Sequence, residues 1–118
     1  MKTPNPAPPA FGGDKWNALL EQSIQQIKSL SSTKGAEYTG GVDDRLDNFR
    51  RAGAKWGVPM EIVWGIYFGK HLDAIETYVK DLKNGVTRTR SEPITGRIDD
   101  AIVYLLLFKA MVVERGNA

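Results

Sequence analysis

The chain contains no cysteine and a single histidine, His71. Without thiols there is no disulfide framework, no thiolate metal site and no thiol nucleophile, and one imidazole cannot build a multi-histidine zinc site. Neither sign of charge dominates. The 16 basic and 14 acidic residues are scattered and leave a formal net charge of +2, too small an excess to mark a general nucleic-acid or membrane binder. Long apolar runs are missing as well. Nowhere do about 18 apolar residues follow one another to span a bilayer, and the segment Met1–Ala10 lacks the apolar core of a secretory signal. The expected location is therefore the cytoplasm.

What is present suits one small helical domain. With 118 residues, 42% of them apolar, the chain can build one core but not two. Pro4, Pro6, Pro8 and Pro9, followed by Gly12 and Gly13, deny residues 1–13 helical hydrogen bonds and leave them little to bury, so a mobile tail is expected ahead of a single domain over 14–118. Asp14 stands where an N-cap belongs. Trp16, Leu19, Leu20, Ile24, Ile27 and Leu30 then recur at helical spacing, which predicts a helix over 14–32 stopped by Ser31, Ser32, Thr33 and Gly35.

After the turn Gly40-Gly41, Asp43 is a plausible cap for a helix over 43–56. Leu46, Phe49, Gly53 and Trp56 form its buried stripe, with Arg45, Arg50, Arg51 and Lys55 outside or at its edges and Gly57 as its stop. Pro59 suits the start of a third helix over 59–83, ended by Asn84-Gly85. Its first half, Ile62 to Phe68, is apolar nearly all round and should be enclosed. A fourth helix is expected over 95–115. Its run Ala101 to Phe108 has the composition of a buried strand, but the flanks continue a helical pattern and no partner strand is evident. The fold class is thus all-α, a compact bundle of about four helices. A last helix apolar on almost every side needs neighbours on every side, which favours a homo-oligomer sharing it. Trp16, Trp56 and Trp64 are expected in the core.

Candidate chemistry rests on oxygen and guanidinium groups. Asp73 and Glu76, three apart on the third helix, set two carboxylates on one face. Asp100 aligns with Tyr104, Leu107 and Met111 at the end of an apolar stripe, where a carboxylate wants a partner or a metal. If the last two helices pack antiparallel, Asp73, Glu76 and Asp100 are candidates to hold magnesium. The simpler alternative pairs Asp73 with Lys70, Glu76 with Lys80 and Asp100 with Arg97. His71 falls nearly opposite Asp73 and Glu76 on the helical wheel and reads as structural. Gly40-Gly41 reads as a turn rather than an anion nest, because Asp43 and Asp44 follow it. Arg88 and Arg90, in the loop after the third helix, are candidates for a phosphate-clamping lid.

Four stretches resemble a known family: Lys34-Gly35-Ala36-Glu37-Tyr38, Asp44-Arg45-Leu46-Asp47-Asn48-Phe49-Arg50-Arg51, Lys70-His71-Leu72-Asp73-Ala74-Ile75, and Asp99 through Leu107. Together, over about residues 34–114, they resemble small phage-encoded proteins of the nucleotide-modification-associated, MazG-like group. That resemblance implies an all-α, oligomeric nucleoside triphosphate pyrophosphohydrolase, at work in a host cell's cytoplasm. It also implies magnesium held by an E-x-x-E pair on one helix and an E-x-x-D pair on the next. The first pair corresponds to Asp73 and Glu76. The second corresponds to Arg97 and Asp100, with an arginine where a glutamate is expected, which changes the local charge by two units and removes a ligand.

Three functions follow as expectations. In a metal-dependent hydrolase, Asp73, Glu76 and Asp100 hold magnesium while Lys70, Arg97, Arg88 and Arg90 neutralise phosphate charge. A noncatalytic binder would sequester a nucleotide, such as a host signalling nucleotide, with Arg97 gripping phosphate beside Asp100. A structural or protein-interaction module would use the apolar last helix for assembly alone.

Overall fold

The computed structural model describes residues 10–117, and within them all side chains except those of residues 34–39. Residues 1–9 of the expected tail lie outside the described residues. The chain forms α1 (Gly13–Thr39), α2 (Asp47–Trp56), α3 (Met60–Asn84) and α4 (Ile94–Glu114), and no strand occurs among the described residues. The apolar run from Ala101 to Phe108 is helical, as its flanks require.

Two boundaries differ from expectation. α1 does not stop at Ser31–Gly35 but continues to Thr39, because hydroxyl residues and one glycine cost a helix only about 1 kcal/mol or less each. Chain reversal waits for Gly40 and Gly41, both at positive φ (60° and 87°), which side chains with a Cβ rarely adopt. α1 also begins at Gly13 with no side-chain cap, leaving Asp14 in its first turn. α2 begins at Asp47 rather than Asp43. The Asp44 carboxylate accepts the Leu46 N–H at 3.0 Å and the Arg50 Nε–H at 2.7 Å, and this local turn competes with helix over residues 43–46. α3 and α4 start and end within one residue of their expected limits.

Helices α3 and α4 pack antiparallel. Glu61 at the start of α3 meets Arg115 just past the end of α4, and the Trp64 indole stacks on Phe108 with ring centroids 4.5 Å apart. The Trp64 Nε1–H donates to the Tyr104 carbonyl at 2.7 Å. α2 lies across one end of this pair, and Arg50 ties it to α4 by holding both Asp44 and Glu114. The core sits where α2, α3 and α4 meet. Phe49 and Met111 are fully buried there among Leu46, Met60, Val63, Val103 and Leu107, and Ile27 and Leu30 bring the middle of α1 against it.

The rest of the apolar surface is not covered within one chain. On α4 the buried stripe is Asp100, Val103, Leu107 and Met111, while Leu105 and Leu106 on the other side remain half exposed. The apolar first half of α3 is likewise not enclosed, since Ile62 and Ile66 are exposed. Trp56 is 74% exposed and Trp16 56%, so of the three tryptophans only Trp64 packs against the core. The helical stripe of Trp16, Leu19, Leu20 and Ile24 is real, but only the later part of α1 reaches the core. Periodicity reports which face is apolar, not whether a neighbour is there to cover it.

Gly53 sets the approach of α2 to the α2–α3 turn: a Cβ built there would lie 2.7 Å from the Val58 carbonyl oxygen and 3.2 Å from the Met60 nitrogen. Gly65, inside α3, has open space at the same position. Gly53→Ala should therefore lose about 1–3 kcal/mol of stability by forcing backbone apart. Gly65→Ala should gain about 0.4–1 kcal/mol from reduced unfolded-state entropy. Urea unfolding midpoints moving in opposite directions would bear this out, and a common direction would refute the close-contact account of Gly53.

Candidate functional site

The helical wheel that sets His71 opposite Asp73 and Glu76 decides the fate of the three-carboxylate site. His71 faces α4, where its ring lies 4.7 Å from that of Tyr104. Asp100 is one turn before Tyr104 on the same face of α4 and is buried, only 7% exposed. The Asp73 and Glu76 positions therefore turn away from α4, and both residues are exposed. Among the described residues no group of three Asp, Glu, His or Cys side chains is placed to hold a metal ion. Asp73, Glu76 and Asp100 are thus not brought together within one chain, although α3 and α4 do pack antiparallel as that site required.

The basic candidates are also dispersed. Arg88 makes a two-pronged pair with Asp81, Nε to Oδ2 at 2.7 Å and Nη2 to Oδ1 at 3.0 Å, and Arg90 reaches the same Oδ2 at 2.9 Å while lying over the Tyr78 ring. These two arginines form a clasp closing the loop onto the end of α3. Asp81 lies ten residues beyond His71, about 15 Å along the helix. Arg97 holds Glu92 at 3.1 Å across the start of α4, and Lys70 lies over the Tyr67 ring at 5.4 Å.

What the fold does bring together is a set of aromatic and polar residues around the half-buried Tyr104. The edge of Tyr104 meets the Phe49 ring at 6.2 Å between centroids, its other contacts include His71, and Asp100 is one turn away. Asn48 precedes Phe49 on α2, and Arg45 lies three residues earlier. The Asn48 Oδ1 and the Arg45 Nε and Nη1 are all buried and have no hydrogen-bond partner among the described residues. Arg45 had been expected outside or at the edge of α2, because a charged residue in a basic stretch reads as solvated. Its burial follows from the later start of α2, which rotates the segment before Asp47. No periodic signal could have singled out Arg45 or Asn48.

Three of the four stretches carrying the family resemblance thus meet at Tyr104: Phe49 from α2, His71 from α3 and Tyr104 itself from α4, with Asp100 one turn away and with Arg45 and Asn48 within four residues of Phe49 in the chain. The side chains of the first stretch, 34–38, lie outside the described residues. A second feature is a groove of about 640 Å³ between the first halves of α1 and α4, lined by Trp16, Leu20, Gln26, Ile98 and Asp99 among others. Burial, and then the neighbouring Asp100 charge, push the Asp99 carboxyl above its ordinary range. Comparison with known proteins finds no matching family model, no matching curated protein and no matching solved structure.

Arginine partners hold four carboxylates below their ordinary range: Arg50 for Asp44 and Glu114, Arg115 for Glu61, and Arg88 for Asp81. A depressed folded-state value stabilises the fold fully above the unfolded value, roughly 4, and that stabilisation is lost as pH falls through the folded value. Asp99 has the opposite sign and is relieved by acid. With four groups against one, the melting temperature should be flat near neutrality and fall below about pH 4. Asp81→Asn should melt lower at pH 7 and lose less on acidification, whereas an unchanged acid slope in thermal melts would show that the clasp is not a stabilising ion pair.

Proposed function

We propose that this protein recognises a nucleotide through its phosphates and sequesters it without a resident catalytic metal, working as an oligomer that shares α4. The observation carrying this reading is the convergence around Tyr104. Stretches far apart in the chain, which together resemble nucleotide-handling MazG-like proteins, bring the Phe49 and His71 rings against Tyr104, one turn from Asp100, with the shielded polar atoms of Arg45 and Asn48 in the segment that leads into Phe49. Buried polar groups that serve only stability are ordinarily hydrogen-bonded, so donors left open in such a cluster suit a ligand.

Sequestration is favoured over pyrophosphohydrolysis by the carboxylates. Magnesium assistance needs carboxylate oxygens converging on one point, and Asp73 and Glu76 face away from Asp100. Arg97, standing where the family resemblance expects a glutamate, adds positive charge where a metal site needs negative. Among the described residues of one chain, no carboxylate group fits a resident magnesium ion.

Thermal unfolding against a panel of linear and cyclic nucleotides, each with magnesium and with chelator, tests the reading. The expected result is a rise in melting temperature that survives chelation, with the ligand recovered intact. Magnesium-dependent release of pyrophosphate would establish hydrolysis instead, and a flat response across the panel would favour a purely structural role.

Assembly is supported by the half-exposed Leu105 and Leu106 on the open face of α4. Sedimentation at micromolar concentration should give a mass above that of one chain, and Leu105→Glu combined with Leu106→Glu should return it to the monomer. A wild-type monomer would remove the oligomer from the proposal without touching nucleotide recognition.

A further inference from the structure

We propose that Arg45 and Asn48, at the entrance to α2, form the phosphate-recognition site, and that its ligand is a phosphate group of the nucleotide. This assignment rests on the nucleotide reading above and names the residues that would carry it.

The seven arginines of the chain divide sharply. Arg50, Arg51, Arg88, Arg90, Arg97 and Arg115 each hold a carboxylate of the same chain. Arg45 is the exception: its Nε and Nη1 are shielded from solvent and have no hydrogen-bond partner among the described residues. A guanidinium cannot shed its proton to escape burial, as a lysine or histidine can, so its charge needs an anion or ordered water. The neighbouring acids do not supply that anion. The Asp44 carboxylate is taken by the Leu46 N–H and by Arg50, and Asp47 is taken by Arg51 at 2.7 Å. Asp44 and Asp47 are thus engaged elsewhere, while the Arg45 Nε and Nη1 have no hydrogen-bond partner among the described residues.

Asn48 makes the site more than a stray charge. Its side-chain oxygen is also buried and unpartnered, and a half-turn of the amide presents NH2 donors in its place. Arg45 and Asn48 are flanked by Leu46 and Phe49, both locked in the core, so the backbone carrying the two polar side chains is fixed. Planar donors on a rigid backbone with apolar surroundings suit a phosphate oxyanion, for which arginine offers several directed N–H groups. A buried water is the competing occupant, and it predicts no response to phosphate.

The experiment compares wild type with Arg45→Met, which removes the charge at similar length, and Asn48→Asp, which is isosteric but repels an anion. Thermal unfolding is recorded in a low-anion buffer with added inorganic phosphate, pyrophosphate or a nucleoside triphosphate. Wild type should melt higher with pyrophosphate and with the triphosphate, by roughly 3 °C or more at saturating ligand. Both variants should lack that rise. A rise retained in Arg45→Met overturns the assignment while leaving nucleotide recognition standing. If Arg45→Met does not fold, Asn48→Asp decides by the same criterion. No wild-type response to any phosphate compound overturns the nucleotide reading, and this site with it.

Discussion

The hydrogen bond from the Trp64 indole to the Tyr104 carbonyl fixes how α3 lies against α4, and most of the molecule's organisation depends on that register. The bond is short, 2.7 Å, and is backed by stacking of Trp64 with Phe68 and with Phe108. With α3 and α4 locked there, His71 falls opposite Tyr104, Glu61 meets Arg115, and Phe49 has an aromatic edge to pack against. A shift of one residue along either helix turns each facing side chain by about 100° and would dissolve all of these contacts together.

Charge is organised by pairing rather than by excess. The near balance of acids and bases makes the chain look electrostatically plain, yet the folded arginines are spent on specific tasks. Arg50 ties α2 to α4, Arg115 ties α4 to α3, and Arg88 with Arg90 closes the α3–α4 loop onto Asp81. Pairs of this kind, part exposed, contribute modestly to stability but specify which ends meet. Against that background the Arg45 Nε and Nη1, without a hydrogen-bond partner among the described residues, stand out, because the other arginines each hold a carboxylate.

Apolar residues are present in more places than one chain can cover. α4 buries Val103, Leu107 and Met111 on one side while Leu105, Leu106 and Val113 face outward on the others. Trp16, Leu19 and Leu20 on α1 behave similarly, and they wall a groove with Ile98 rather than fill a core. Contiguous apolar surfaces of this kind are what association covers in proteins that assemble. Asp100 and the Tyr104 ring lie on the covered side of α4, and the exposed apolar residues lie on its other sides.

The sequence by itself determined the four helices and, for α3 and α4, their ends to within a residue, because periodicity, glycine stops and prolines act over one or two turns. It misjudged α1 and the start of α2 where a local signal was weak: Gly35 was read as a stop that Gly40 provides, and Asp43 as a cap where Asp44 makes a turn. The candidate site was legible only in part. The burial of Asp100, and the placing of His71 on the face of α3 opposite Asp73 and Glu76, followed from helical geometry. The grouping of Asp100 with Asp73 and Glu76 did not survive, because which face of α3 meets α4 is set by groups forty residues apart, the Trp64 indole and the Tyr104 backbone carbonyl. Only the tertiary structure gave Arg88 and Arg90 to Asp81, left Trp56 in solvent, and shielded the Arg45 Nε and Nη1. Those outcomes depend on which distant surface arrives at each face, and a helical pattern carries no information about that.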